Sequence, residues 1–426
     1  MSLLLHVMPD WIGLVSLACC TGVLVCSQWV VGTARGDTNP FLEELRAGMW
    51  QVLRIGAAVL FVSSILGLLV RAGEMSGYPL TGLRPVIPTV LFRTHLGHAW
   101  LMRMAAIIGL LATAAGGFRR SRPSRCFMLG CAIVVSAMDS ASGHASDAGD
   151  FSVPEIMDWL HLTAALVWGG GLVVLSLKIL PPLVKQGDRA ASSMGGIAAR
   201  FSRIAGVAVG VIVLTASYQQ WAYGGAVEGL PRSTFGRIII AKIALFSALL
   251  ILGAFNRYVS VPRLQEWAGS ATTRHGALGR VVAPALMPLA PRARGTQTAA
   301  RFARTVQLEA VLLAAVLLCA ALLRHEAPAR HAAHLEHHSS PSGAASASRC
   351  PISSKHAATP SRRRRTAGRH SITSLPGTSR ARSCWTGSCP RWAAANSSTR
   401  GRSRPHFGTS RSSSYQALTP RVMMLA

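Results

Sequence analysis

Residues 156–178 read IMDWLHLTAALVWGGGLVVLSLK, a long and almost uninterrupted apolar run. Its centre is apolar throughout, and its charged residues, Asp158 and Lys178, lie near its two ends. A helix that crosses a bilayer needs about 20 mostly apolar residues, because every backbone polar group must be satisfied inside the segment. The stretch therefore predicts a transmembrane helix.

Seven further stretches of this kind lie on either side of it. The weakest is the fourth in the chain, because Asp139 and two serines lie near its end. The eight windows cover residues 11–33, 50–70, 98–117, 126–142, 156–178, 202–222, 237–257 and 305–324. Together they predict an all-α, polytopic membrane protein with about eight transmembrane helices.

The composition excludes two other classes of protein. The 426 residues are 50% hydrophobic and 14% charged, whereas a soluble domain carries about 25% charged residues. Of the 44 Lys and Arg residues, 16 lie in the last hundred positions, where Glu336 is the one acidic residue. A single soluble fold and a chain disordered throughout are both excluded.

The loop charges predict the orientation. Loops 34–49, 118–125, 179–201 and 258–304 together hold 16 basic residues, whereas the N-terminus and the alternate loops hold 4. Cytoplasmic loops carry the excess of Lys and Arg. We therefore expect both termini on the outer side, which is the periplasm for a bacterial inner membrane.

The two halves of the membrane region resemble each other, which predicts two parallel four-helix repeats, residues 1–142 and 143–326. Asp10-Trp11 opens the first helix and Asp158-Trp159 the fifth, and a Gly-x-Leu-Val sequence follows in each, Gly22 to Val25 and Gly170 to Val173. Repeats in transporters often frame a central pathway.

Cations also recur in the two halves, Arg103 in the first and Lys242 in the second. Charges inside a span are costly unless they are paired, hydrated or functional. We expect Asp10 to face Arg103 and Asp158 to face Lys242; the alternative is that the cations extend to the interface.

The hairpin between the fourth and fifth spans collects soft metal ligands. His144 ends one span and His161 lies in the second turn of the next, with Met138 and Met157 on the same helix ends. Imidazole and thioether together favour copper, since thioether prefers Cu(I) and imidazole accepts either oxidation state. The alternative is an interfacial pair of hydrogen-bonded histidines with packing methionines.

Other histidines fall on the same predicted outer side. His95 and His98 are close enough to share a helical face, and His325 follows the last span. These three are further candidate metal ligands, and His6 also lies on this side. No P-loop, G-x-S-x-G or H-E-x-x-H motif occurs in the sequence, so neither an ATP-driven pump nor a hydrolase is supported and we expect no enzyme.

Several segments in order resemble the copper-resistance protein D family. They are Ser142-Gly143-His144-Ala145, Asp158 to Leu162, Trp168 to Leu172, Arg200-Phe201-Ser202, Thr234 to Lys242, Asn256-Arg257 and Leu308-Glu309-Ala310. The resemblance covers about residues 95–325 well. It implies a multi-pass inner-membrane protein that handles and takes up copper, often beside a periplasmic copper-binding protein C, and it makes His144 and His161 the preferred ligands.

Two alternatives remain open at this point. Facing histidines on adjacent spans could ligate b-type haem in an electron-transfer protein. The protein could also be a scaffold that docks the periplasmic donor without transporting the metal.

The tail beyond the last span has a composition of its own. Residues 327–338 hold four histidines in a short tract that could capture metal. Residues 339–426 are rich in Arg, Ser and Pro and lack apolar periodicity, which predicts disorder. Such a sequence is typical of an out-of-frame reading of GC-rich DNA. The alternative is a basic arm that binds nucleic acid or anionic lipid, and the expected periplasmic side argues against nucleic acid as its partner.

Overall fold

The computed structural model describes residues 2–31, 40–116, 121–143, 149–223, 233–270, 277–289 and 295–325. The chain divides into two units, Met1–Pro351 and Ile352–Ala426, and every described residue lies in the first. The predicted His-rich segment and the tail, 327–426, lie outside the described residues.

The described residues form helices and no strand, so the predicted all-α class is confirmed. The helices are α1 Ser2–Val25, α2 Pro40–Ser76, α3 Ile87–Arg93, α4 His95–Ala115, α5 Arg122–Ala141, α6 Val153–Val174, α7 Leu180–Gln186, α8 Ala191–Tyr223, α9 Thr234–Phe255, α10 Val261–Trp267, α11 Ala277–Leu286 and α12 Thr296–Leu323. Short π-helical turns, Cys26–Val30, Leu175–Ile179 and Asn256–Ser260, extend α1, α6 and α9.

Seven stretches of the described chain are long and apolar enough to cross a membrane. They are His6–Val30, Phe41–Ser76, His95–Ala115, Arg122–Ala141, Val153–Ala222, Thr234–Trp267 and Thr296–Leu323. The fifth contains two of the predicted spans, because α6 and α8 are joined through α7 and a turn at Gly187, whose φ is +58°. The chain is thus a polytopic membrane protein, while the number of eight stays a prediction.

Polar side chains mark where four of the helices begin. The hydroxyls of Thr94, Ser121, Ser152 and Ser233 accept hydrogen bonds from backbone N–H groups in the first turns of α4, α5, α6 and α9. The first N–H groups of a helix have no partner within it, so a hydroxyl at this position stabilises the start. Each of these caps follows or ends a loop in the sequence.

The centre of the bundle is a close crossing of α1 and α6. A Cβ atom added to Gly170 would lie 1.9 Å from the carbonyl oxygen of Ala18, and one added to Gly22 would lie 2.1 Å from the carbonyl of Gly170. Small residues let membrane helices approach to backbone contact. The two glycines that the sequence predicts to be equivalent therefore meet each other.

Corresponding helices of the two predicted repeats also make corresponding contacts. Helix α1 packs against α2 as α6 packs against α8, and α4 packs against α5 as α9 packs against α12. Between the halves, α1 contacts α12 and α6 contacts α5. The indole of Trp11 donates to the carbonyl oxygen of Ala314 on α12 at 3.0 Å, and that of Trp159 donates to Ser136 Oγ on α5 at 3.2 Å.

Candidate functional site

Three aspartates come together at one end of the bundle. Asp10 of α1, Asp139 of α5 and Asp158 of α6 all interact electrostatically with Arg324, which directly follows α12. Burial disfavours the charged guanidinium, but the attraction of these carboxylates outweighs it and raises the pKa of Arg324 above its ordinary value. We call this end of the bundle the carboxylate end. Helices from both halves contribute to its network of charged residues.

Asp139 is the most deeply buried of the three, with 3% of its side chain exposed. The guanidinium of Arg103 on α4 forms an ion pair with it, and Arg324 Nη1 lies 3.9 Å from the same carboxylate oxygen. The predicted pairing of Arg103 with Asp10 is therefore wrong. Because α4 packs along α5, Arg103 pairs with Asp139, although its Nη2 also lies 3.6 Å from where a Cβ of Gly13 on α1 would be.

Asp10 instead contacts α2 and the end of α12. Its Oδ2 lies 3.5 Å from Arg71 Nη2 and 3.4 Å from His325 Nε2. Gly67 lies beside Asp10 Oδ1, where a Cβ would be 3.6 Å away. Both Asp10 Oδ2 and His325 Nε2 are buried, and they face each other in an ion pair that is longer than an ordinary hydrogen bond.

Two more potential ligands complete this group. Glu74 Oε1 lies 3.7 Å from His6 Nδ1 and 3.9 Å from His325 Nδ1, and the two imidazole rings stack at 6.3 Å between centroids. We call His6, Asp10, Glu74 and His325 the His–carboxylate cluster. In the part of the chain that the structure describes, no three His, Cys, Asp or Glu residues are already arranged as a metal site. The cluster gathers ligands without closing around an ion.

At the matching position in the second half, the direct partners of the carboxylate are neutral side chains. Asp158 accepts hydrogen bonds from Ser140 Oγ at 2.8 Å and Gln219 Nε2 at 3.1 Å. Lys242 of α9 lies within electrostatic range of Asp158, although these hydrogen bonds satisfy the carboxylate. One offset in residue number relates Asp10 to Asp158 and Arg71 to Gln219, so the second half lacks the cation that accompanies Asp10.

His161, a predicted ligand, lies one turn beyond Asp158. Its Nδ1 is 3.0 Å from the hydroxyl of Thr215, which is 3% exposed and itself donates to the carbonyl oxygen of Val211 at 2.7 Å. The Thr215 hydroxyl has one proton, so imidazole Nδ1–H donates to Thr215 in this arrangement. That tautomer leaves Nε2 as the ligand atom.

The other predicted ligands are not gathered around His161. His144 lies outside the described residues. His95 is exposed and its Nε2 contacts Asp150 Oδ1 at 3.0 Å, and His98 is exposed on α4. Met138 and Met157 are half-buried on α5 and α6, whose ends lie close together, since Ser140 Oγ is 3.1 Å from the Glu155 carbonyl oxygen.

Of the predicted ligands, the structure places His325 in the His–carboxylate cluster. Our sequence reasoning missed His6, Asp10 and Glu74 as its companions. Two spacings carry the signal: His6 and Asp10 are four apart on α1, and Arg71 and Glu74 are three apart on α2, and such pairs share a helical face.

Comparisons with known proteins agree with the earlier resemblance. Residues 1–152 match the family model described as copper resistance protein D-like, N-terminal domain, and residues 195–323 match that of copper resistance protein D. The chain is 30% identical over 224 residues to copper resistance protein D of Pseudomonas syringae pv. tomato, covering 50% of this chain and 70% of that protein.

A second relative is the copper transport protein CutJ of Bacillus subtilis (strain 168). It is 28% identical over 178 residues, which cover 40% of this chain and 32% of that protein. No solved structure matches the chain significantly. Three members of the His–carboxylate cluster lie in the first matched range, whereas His161 lies between the two ranges.

Proposed function

Because the chain belongs to the copper resistance protein D family, we propose that it receives copper at the His–carboxylate cluster and mediates its uptake across the bacterial inner membrane. The family makes it a copper-handling membrane protein. Our proposal consists of the copper-receiving site, the inward direction of transport and the location in the inner membrane. We also propose that the protein has no enzymatic activity. The main support for this site is the buried pair of Asp10 Oδ2 and His325 Nε2, two ligand atoms that face each other at 3.4 Å.

The chemistry of the cluster suits copper as a cargo. Imidazole binds copper in either oxidation state, and a carboxylate adds affinity for Cu(II). Two imidazoles and two carboxylates lie within 3.4–3.9 Å of at least one other member, and ligand atoms that share one ion about 2 Å away are separated by similar distances. Small movements would therefore bring them onto one ion.

The contacts of Asp10 also suggest how the cluster could exchange its partners for an ion. Asp10 is held by Arg71 at 3.5 Å in addition to His325. Copper would displace His325 from its ion pair while Arg71 keeps the carboxylate in place. A site closed by rearrangement rather than preformed suits ligand exchange with a donor, and we propose that a periplasmic copper-binding protein C-like donor supplies the metal.

Orientation follows from the loop charges. The excess of basic residues in alternate loops favours the carboxylate end on the periplasmic side, with both termini there. His161 would be a later ligand, since α6 crosses α1 in backbone contact and carries His161 near the same end. The predicted pair of His144 and His161 is retained as the alternative receiving site.

Alanine variants distinguish the two sites. We compare His6→Ala/His325→Ala with His144→Ala/His161→Ala, and Arg93→Ala serves as the control because Arg93 is exposed at the end of α3 and is not a candidate ligand. Each protein is reconstituted in proteoliposomes with insertion checked by protease access, and copper bound at equilibrium and copper accumulated are both measured.

We expect the first double variant to lose at least tenfold in accumulation and the control to lose none. Full accumulation by that variant together with loss in the second would move the receiving site to His144 and His161. A strong Soret band with little copper would favour the haem alternative, and tight donor binding without flux would favour the scaffold.

A further inference from the structure

A groove distinct from the carboxylate end opens between α1, α5, α6 and α8. Its volume is about 530 Å³. Its walls are apolar side chains of membrane-spanning helices, among them Val25, Leu129, Ile133 and Leu166. Within a bilayer, an apolar groove on the helix surface is filled by hydrocarbon.

One end of this groove carries two cations. Arg200 and Arg203 of α8 line it together with Trp29, whose side chain is 50% exposed. Tryptophan in this position is typical of the level of the lipid headgroups. At 1.5 Å per residue, Arg203 lies about 24 Å along α8 from Gln219 at the carboxylate end, so the cations occupy the opposite membrane interface.

The two arginines are prepared for an anion in different ways. Arg200 Nε donates to the carbonyl oxygen of Val30 at 2.6 Å. That bond orients the guanidinium and leaves its terminal N–H groups for another acceptor. Arg203 is exposed one turn further along the same helix. An arginine fork matches the geometry of a phosphate oxygen pair.

We propose that this groove binds an anionic membrane phospholipid, with an acyl chain along the apolar wall and the headgroup phosphate on Arg200 and Arg203. Charge complementarity selects the anionic lipid over a zwitterionic one, because a zwitterionic headgroup brings its own cation to two fixed cations. Basic pockets between transmembrane helices are known to bind acidic headgroups. The site is independent of the copper proposal.

The matched control for this site is another interfacial arginine. Arg54 of α2 is exposed and does not line the groove. We purify the full chain in detergent micelles that contain equimolar phosphatidylglycerol and phosphatidylethanolamine, and count the retained lipids by native mass spectrometry. The variants are Arg200→Gln/Arg203→Gln and Arg54→Gln, with Ile133→Trp to fill the groove and Ile108→Trp as its control.

We expect the wild type to retain phosphatidylglycerol preferentially. Each arginine should contribute about fivefold to that preference, the ratio for about 1 kcal/mol per cation near an anionic surface. Arg200→Gln/Arg203→Gln should therefore lower the preference about 25-fold. Arg54→Gln and Ile108→Trp should leave retention unchanged, whereas Ile133→Trp should reduce the retention of either lipid.

Three results would overturn the proposal. The first is an unchanged preference in the double arginine variant, and the second is an equal fall with Arg54→Gln, which would mean a general effect of surface charge. The third is loss of phosphatidylglycerol on adding millimolar inorganic phosphate, because a site that free phosphate empties recognises the anion and not the lipid.

Discussion

Replacing Gly170 by alanine tests the crossing on which the two halves depend. The added Cβ would lie 1.9 Å from the carbonyl oxygen of Ala18, which is a backbone atom and cannot rotate away. An ordinary contact of this kind is about 3.4 Å, so α1 and α6 must separate by more than 1 Å. That separation loosens the surrounding buried side chains, Leu17 and Leu166 among them.

The expected loss of stability can be judged against a helical glycine that has free space around it. Gly210 of α8 has no atom within 4 Å of an added Cβ, so Gly210→Ala should gain about 1 kcal/mol from helix propensity. Overpacking in a close contact costs about 1–3 kcal/mol. Gly170 also lies in a helix and its alanine variant gains the same propensity, so the two variants should differ by about 1–3 kcal/mol in the free energy of unfolding.

The assay is reversible unfolding in mixed micelles of a mild detergent and sodium dodecyl sulfate, followed by tryptophan fluorescence. Gly22→Ala should behave as Gly170→Ala does, because its Cβ would lie 2.1 Å from the Gly170 carbonyl. If Gly170→Ala unfolds at the same detergent fraction as Gly210→Ala, the backbone contact between α1 and α6 does not exist and the reasoning fails.

Two further predictions concern buried ionisable side chains. Arg103→Ala removes the closer of the two cations from the carboxylate of Asp139, which is 3% exposed and keeps Arg324 at 3.9 Å. It should cost about 3 kcal/mol, the lower end of the range for a broken buried pair. In the same unfolding assay Arg46→Ala, which breaks a partly exposed pair within one helix, should cost under about 1 kcal/mol, and equal losses would contradict the network. Asn256→Ala removes the 2.7 Å hydrogen bond that Asn256 Nδ2 donates to the buried Glu309 and leaves the carboxyl group without this donor. It should cost about 1–3 kcal/mol. Adding Glu309→Gln should restore part of the loss, because it removes the ionisable group, and no restoration would refute this explanation of the loss.

The helices could be predicted because the bilayer imposes a local rule. Each span must satisfy its own backbone groups and be apolar over its length, and the windows around α4 and α5 accordingly fall on observed helices. The equivalence of Gly22 and Gly170 was also visible as a short recurring motif. The copper family followed from the order of several such motifs.

The partners of the charged residues did not follow from the same rule. Arg103 was expected at Asp10 and pairs with Asp139, while Asp10 contacts Arg71 and His325. A side chain reaches only a few ångströms, so its partner depends on the rotation of each helix about its axis and on which helix lies beside it. Apolar periodicity specifies where a membrane helix runs, but packing across residues far apart in the chain selects its neighbours, and with them the ligands that meet.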